Sequence, residues 1–122
     1  MKNIGLVVAY RGDAVYEVMV RSWLVLHGRL TPGKLHQSAL AYVAAPRQAA
    51  MMEKLYPLLT EEEDRVYKRG RNANPHSHPK GATRQEYQIA TGLEALFGWL
   101  YLNGANDRLN TLFEAMLAGE EV

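Results

Sequence analysis

The periodicity of its apolar residues constrains this chain more than any other feature. From Gly12 onward Val15, Val18, Met19, Leu24 and Leu26 recur three and four residues apart, with Ser22 on the same rhythm, up to a stop at His27-Gly28. That spacing gives a helix one apolar face. Leu35, Leu40, Tyr42 and Val43 continue it, as do Ala49, Met52, Leu55 and Tyr56. After a gap it returns in Ile89, Leu93, Leu96, Phe97 and Leu100, and again in Leu109, Leu112, Phe113, Met116 and Leu117. No stretch alternates as a strand would, no internal repeat appears, and no linker divides the chain. The expectation is an all-α fold, a single domain over residues 1–122 with about seven helices.

Boundary chemistry agrees with the periodicity. Thr31-Pro32-Gly33 reads as an N-cap followed by a proline in the first turn, and Pro46 opens the next helix. Thr60 and Glu63 have capping-box spacing for a short charged helix to about Lys68, and Asn103-Gly104 closes the long helix before the last one. Residues 70–83 break the pattern, because Gly70, Asn72, Asn74, Pro75, Pro79 and Gly81 are turn formers. A connection of that length is usually functional or disordered.

Composition removes several classes of chemistry. The chain has no cysteine, which excludes a disulfide framework, a Cys-based zinc site, a Cys nucleophile and an iron–sulfur cluster. Fourteen Lys and Arg against thirteen Asp and Glu leave a formal charge of +1, so neither a polybasic tail nor an acidic solvating segment is present. The apolar run Ile4–Tyr10 is at the short limit for a signal peptide, and Arg11-Gly12-Asp13 stands where small cleavage-site residues belong. The next run, Val18–Leu26, is broken by Arg21 and Ser22, well short of a membrane span. A soluble cytoplasmic domain with no membrane partner is expected.

Three features carry possible chemistry. Asp13 follows Gly12, with Glu17 one turn later; the plain alternatives are a helix cap and a solvated face. Glu94 shares a helical row with Ala90, Phe97 and Tyr101, beside an apolar stripe. A carboxylate there must be paired, hydrogen-bonded or bound to a metal, and pattern alone leaves a salt bridge and a ligand role equally open. The segment Arg65–Arg84 holds Arg65, Lys68, Arg69, Arg71, Lys80 and Arg84 with no acid, six of the fourteen basic residues. On a balanced chain such a one-sign run points to a phosphate-binding surface. His76-Ser77-His78 has no third metal ligand nearby and reads as polar loop. Arg11-Gly12-Asp13 also spells a cell-adhesion tripeptide, a match of little specificity.

Two blocks then stand out together: Tyr10-Arg11-Gly12-Asp13-Ala14-Val15-Tyr16-Glu17, and the helix Thr91–Leu102 with Gly92-Leu93-Glu94-Ala95-Leu96. They resemble the two signature helices of the ribonuclease III catalytic domain. Pro32-Gly33-Lys34-Leu35-His36, and Lys68-Arg69-Gly70-Arg71-Asn72-Ala73 followed by Pro79-Lys80, sharpen the match to the Mini-ribonuclease III branch. The blocks are in order and cover essentially the whole chain.

The resemblance implies an all-α endoribonuclease domain that works as a homodimer, without an appended double-stranded RNA-binding domain. It implies Mg²⁺-dependent cleavage of double-stranded RNA, with Mn²⁺ able to substitute. The branch's role, maturation of large-subunit (23S) ribosomal RNA, makes a ribosomal RNA precursor the expected partner. Asp13 and Glu94 take the family's catalytic and metal-holding positions. Glu17 and Thr91 would orient metal-bound water, and Tyr10 matches the interface aromatic, with Trp99 and Tyr101 as further apolar area. Ala9 and Thr91 stand where full ribonuclease III carries acids; the Mini branch shares the Thr. With fewer protein ligands, water and RNA phosphate must complete the metal's shell, which suits magnesium. The basic loop, residues 69–84, is expected to grip RNA. Lys68, Arg69, Arg71, Lys80 and Arg84 would contact phosphates, and Asn72 and His76 would reach sugars or base edges. The competing reading is a non-catalytic RNA-binding, ribosome-assembly module that retains the fold. Asp13 and Glu94 speak against it, while Ala9 and Thr91 keep it open.

Overall fold

The structure, a computed structural model, describes residues 4–27, 31–73 and 81–120. Over them the chain forms α1 (Ile4–His27), α2 (Pro32–Val43), α3 (Ala45–Leu55), a 3-10 turn at Tyr56–Leu58, α4 (Glu61–Arg71), α5 (Arg84–Leu102) and α6 (Asn106–Leu117). No strand occurs among the described residues, so the fold is all-α, with six α-helices and one 3-10 turn in place of about seven helices. No described helix is long and apolar enough to cross a membrane.

The helix starts are where their caps put them. Thr31 accepts the Lys34 N–H at 3.3 Å, with Pro32 in the first turn. Thr60 and Glu63 form a complete capping box: the Thr60 hydroxyl accepts the Glu63 N–H at 3.1 Å, and the Glu63 carboxylate accepts the Thr60 N–H at 2.9 Å. Glu63 is buried, and Arg108 of α6 meets it with two hydrogen bonds of 2.8 Å while also donating to the Leu58 carbonyl. The guanidinium holds the Glu63 carboxyl below the usual carboxylate range. A second capping box, Thr83 and Glu86, opens α5 and ends the long connection.

Two boundaries differ from expectation. Helix α1 begins at Ile4, two turns before Gly12, so Asp13 lies in mid-helix and caps nothing. Gly12 reads as a helix breaker, but it sits inside the helix for a packing reason. The second difference is in the basic segment, where α4 runs on to Arg71. Its acids, Glu61 to Asp64, lie in the first turn, and Lys68, Arg69 and Arg71 lie in the last, an arrangement that complements the helix dipole. Gly70 is therefore a buried helical residue and gives the chain no pivot.

Helix α5 is the centre of the molecule. It packs most extensively on α1, then on α4 and α3. That is why it is apolar nearly all round, with Leu93, Leu96, Phe97 and Leu100 buried. Against it α1 presents Tyr16, Val20 and Leu24, spaced four apart along one ridge. The Tyr16 ring is fully buried, and its hydroxyl donates to the Tyr42 carbonyl at 2.9 Å, tying α1 to α2. Val18, Val25 and Leu26 keep the helical rhythm but stay exposed, on the far side of that ridge.

Helices this close need residues without side chains at the crossings. A Cβ on Gly12 would run into the Glu94 carbonyl oxygen and lie 2.9 Å from the Gly98 nitrogen. The backbones of α1 and α5 therefore touch at Gly12. A Cβ on Gly92 would lie 2.7 Å from the Tyr67 ring, and one on Gly70 would meet the Ala95 side chain and the Thr91 carbonyl. So α4 and α5 also cross at close range.

Candidate active site

The Gly12 contact fixes the residue after it. Asp13 on α1 and Glu94 on α5 bring their carboxyls within hydrogen-bonding reach, a contact that closes only when one of the two carries a proton. Glu94 is partly buried and Asp13 exposed. Burial, and then the bond and charge of Asp13, push the Glu94 carboxyl up to about 9 from an ordinary 4.5. Like charges this close do not both ionise without a counter-charge.

Both carboxyls open onto a cleft of about 710 Å³, which Tyr10, Gln48, Ala82 and Thr91 help to line. Gly81, where the basic segment ends, is part of the same wall and adopts the left-handed φ of +86° that favours glycine. The acid pair and the end of the basic loop therefore meet at one opening. The donor set is oxygen only, as hard cations such as Mg²⁺ and Mn²⁺ require. A divalent cation would supply the positive charge that the shared proton now supplies. No cluster of three or more His, Cys, Asp or Glu forms among the described residues, so water and substrate oxygens would complete a cation's shell.

The other expected site residues are placed as follows. Thr91 is buried in the cleft wall, its hydroxyl donating to the Tyr87 carbonyl at 2.8 Å. Glu17 is not part of the cleft lining; its carboxylate accepts from Arg21 at 2.6 Å on the surface of α1. Tyr10 is 86% exposed at the cleft rim. Trp99 packs against the core, while Tyr101 is exposed. Lys68 pairs with Asp64 at 2.9 Å, and Arg69 is exposed one residue on. The Arg71 guanidinium lies 5.6 Å from the Tyr67 ring centroid and donates to the Asn72 side-chain oxygen at 3.2 Å. Arg84 is the first residue of α5. His76, Ser77, His78 and Lys80 lie outside the described residues.

Two residues that shape the site carried no local signal. Gly12 sets the distance between the two acids. Gln48, on the first turn of α3, is a buried amide in the cleft wall. Its position on the inner face of a short helix resembles that of any partly polar core residue.

Comparisons with known proteins place the chain in a family. The Ribonuclease III domain model matches residues 6–105. A Mini-ribonuclease 3 of Symbiobacterium thermophilum is 48% identical over 110 residues, covering 90% of this chain and 85% of the relative. One from Enterococcus faecalis is 46% identical over 110 residues, covering 88% and 83%. A crystal structure of a Fusobacterium nucleatum protein superposes with a TM-score of 0.85 at 30% identity, covering 95% of this chain and 93% of that one. The chain belongs to the ribonuclease III family, in its Mini-ribonuclease III branch, and is an endoribonuclease.

Proposed function

We propose that this endoribonuclease cleaves double-stranded RNA in a Mg²⁺-dependent reaction, as a homodimer, and that its cellular substrate is the precursor of large-subunit (23S) ribosomal RNA. The observation that carries the catalytic part is the Asp13–Glu94 pair, from two helices, joined at the wall of an open cleft. Mini-branch membership supports the ribosomal assignment.

When bound, the cation would supply polarisation of a phosphoryl oxygen and a more acidic water, the chemistry that in-line hydrolysis of an RNA phosphodiester needs as water adds to phosphorus and one P–O ester bond breaks. Asp13 and Glu94 would hold it with anionic oxygens, Glu94 releasing its proton to solvent. Thr91 would orient the surrounding water through oxygen lone pairs that its bond to Tyr87 leaves free, and Glu17, one turn from Asp13, would reach that water only on leaving Arg21. Lys68, Arg69, Arg71, Lys80 and Arg84 contact the phosphates, and Asn72 and His76 reach sugars or base edges. Recognition rests on duplex shape, phosphates and 2′-hydroxyls, because the A-form major groove is too narrow to read. Two sites across a dimer axis, with Tyr10 at the interface, cut one strand each.

The test is incubation with duplex and single-stranded RNA, with Mg²⁺ or chelator. Mg²⁺-dependent cutting of the duplex alone is the expected result; cutting that ignores chelator overturns the metal role. Sedimentation with RNA at micromolar protein should show a dimer, and a monomer would overturn that part of the reading.

A further inference from the structure

Gln48 is 2% exposed, yet its amide is only half satisfied. The side-chain N–H donates to the carbonyl of Val43, the last residue of α2, at 2.8 Å. That bond fixes which end of the amide is oxygen. Among the described residues the oxygen meets no donor, and it is closed to bulk water. An acceptor left in that state costs about 1–3 kcal/mol. A simple clamp between α2 and α3 needs only the N–H end, so the clamp does not account for the oxygen.

Its location supplies the missing half. Gln48 lines the cleft that Asp13, Thr91 and Glu94 also line. None of these donates to Gln48, and the Thr91 hydroxyl donates instead to the Tyr87 carbonyl. We propose that the Gln48 side-chain oxygen accepts a hydrogen bond from an O–H group brought into the cleft with the substrate complex. Two sources carry that chemistry: a ribose 2′-hydroxyl, and a water on the cation held by Asp13 and Glu94. Gln48 lines the cleft and its oxygen is buried there without a partner, so a donor entering the cleft meets it once the lining gives way. This rests on the nuclease reading and adds a residue to its binding machinery.

Two substitutions separate the acceptor from the clamp. Gln48→Leu and Gln48→Glu both lose the donor to Val43, but only Gln48→Glu keeps an acceptor oxygen. Binding is read in chelator, where nothing is cut, with duplex RNA carrying single 2′-fluoro substitutions around the cleavage position; fluorine keeps the A-form and removes the O–H donor. Mg²⁺ binding is read without RNA, from the shift in thermal unfolding.

If the donor is a ribose, one 2′-fluoro position weakens wild-type binding about five- to tenfold, the worth of one hydrogen bond. It leaves Gln48→Leu unaffected, and Gln48→Glu stays sensitive. If the donor is a cation-bound water, Gln48→Leu needs about five- to tenfold more Mg²⁺, while Gln48→Glu needs no more than wild type. Gln48→Leu matching wild type in both measurements overturns the proposal, as does equal loss by both variants. Should Gln48→Leu fail to fold, the 2′-fluoro scan of wild type and the Mg²⁺ titration of Gln48→Glu decide. No sensitive position together with weakened Mg²⁺ binding by Gln48→Glu overturns it. Cutting of unmodified duplex by the wild type is scored separately, so loss of the nuclease reading would be visible as such.

Discussion

Glu94→Gln should make the metal-free protein more stable while destroying the site. The substitution keeps the size of the side chain and mimics the protonated acid, since the new amide can donate to Asp13 as the carboxyl does now. The magnitude follows from linkage. Glu94 titrates near 4.5 in an unfolded chain and near 9 in the folded one. Between those values the folded state holds a proton that the unfolded state has lost, so stability falls as pH rises, by about 1.4 kcal/mol per pH unit. Below about 4.5 both states are protonated and nothing is lost. At pH 7 the accumulated loss is about 3 kcal/mol, and it stays the same for any folded value well above 7. Glutamine carries no such penalty.

Urea unfolding in chelator, followed by circular dichroism, measures the effect. With slopes of about 1–3 kcal/mol per molar urea, the variant's midpoint at pH 7 should exceed wild type by about 1–3 M. At pH 5 the gap should nearly close. Saturating Mg²⁺ should stabilise wild type far more than the variant, because binding to the folded state alone adds stability and the variant has lost an anionic ligand. A variant no more stable than wild type at pH 7 in chelator would refute the reasoning. It would mean that Glu94 is already ionised and paired with something other than Asp13.

Further outcomes follow from the same geometry. Asp13→Asn should abolish duplex cutting in a gel assay while leaving circular dichroism and RNA affinity close to wild type; Glu17→Gln, already paired with Arg21, should slow cutting less. Arg71→Ala and Lys80→Ala should each weaken duplex binding for all sequences and make the log–log salt slope shallower by about one, measured by titration over a range of salt. Gly12→Ala should destabilise by about 3 kcal/mol or more in urea, because the added methyl meets the Glu94 carbonyl. Its residual folded fraction should cut on the order of 100-fold more slowly, since each ångström of misplacement costs about that much.

How much of this could be read from the sequence depends on the distance over which each signal acts. A capping box is contained in four residues, so Thr60 and Glu63 marked the start of α4 without any tertiary information. The same signature at Thr83 and Glu86 marks α5. Apolar rhythm located the helices, but it did not identify which apolar residues face inward. On α1 both Leu24 and Leu26 are in the rhythm, and only Leu24 is buried. The choice is made by where α5 lies, which no window of α1 contains. Asp13 and Glu94 are proposed through motif resemblance, because spacing alone leaves a lone carboxylate on an apolar row open to a salt bridge as much as to a metal.

Glycine shows most directly why the rest stayed hidden. A glycine that ends a helix and one that lets two helices touch are the same residue with the same neighbours in sequence. Gly12 precedes an acid that could cap a helix, so it reads as a start, and the true start lies at Ile4. What distinguishes the two cases is the backbone opposite, here the Glu94 carbonyl and the Gly98 nitrogen of α5. That same contact brings Asp13 to Glu94. The closeness that makes Gly12 obligatory is therefore also what forces two acids to share one proton, and the feature hardest to read locally is the one that assembles the site. A glycine followed directly by an acid, within a helix whose partner carries glycine and an acid four residues apart, is the pattern to look for. Gly12-Asp13 and Glu94-x-x-x-Gly98 are that pattern here.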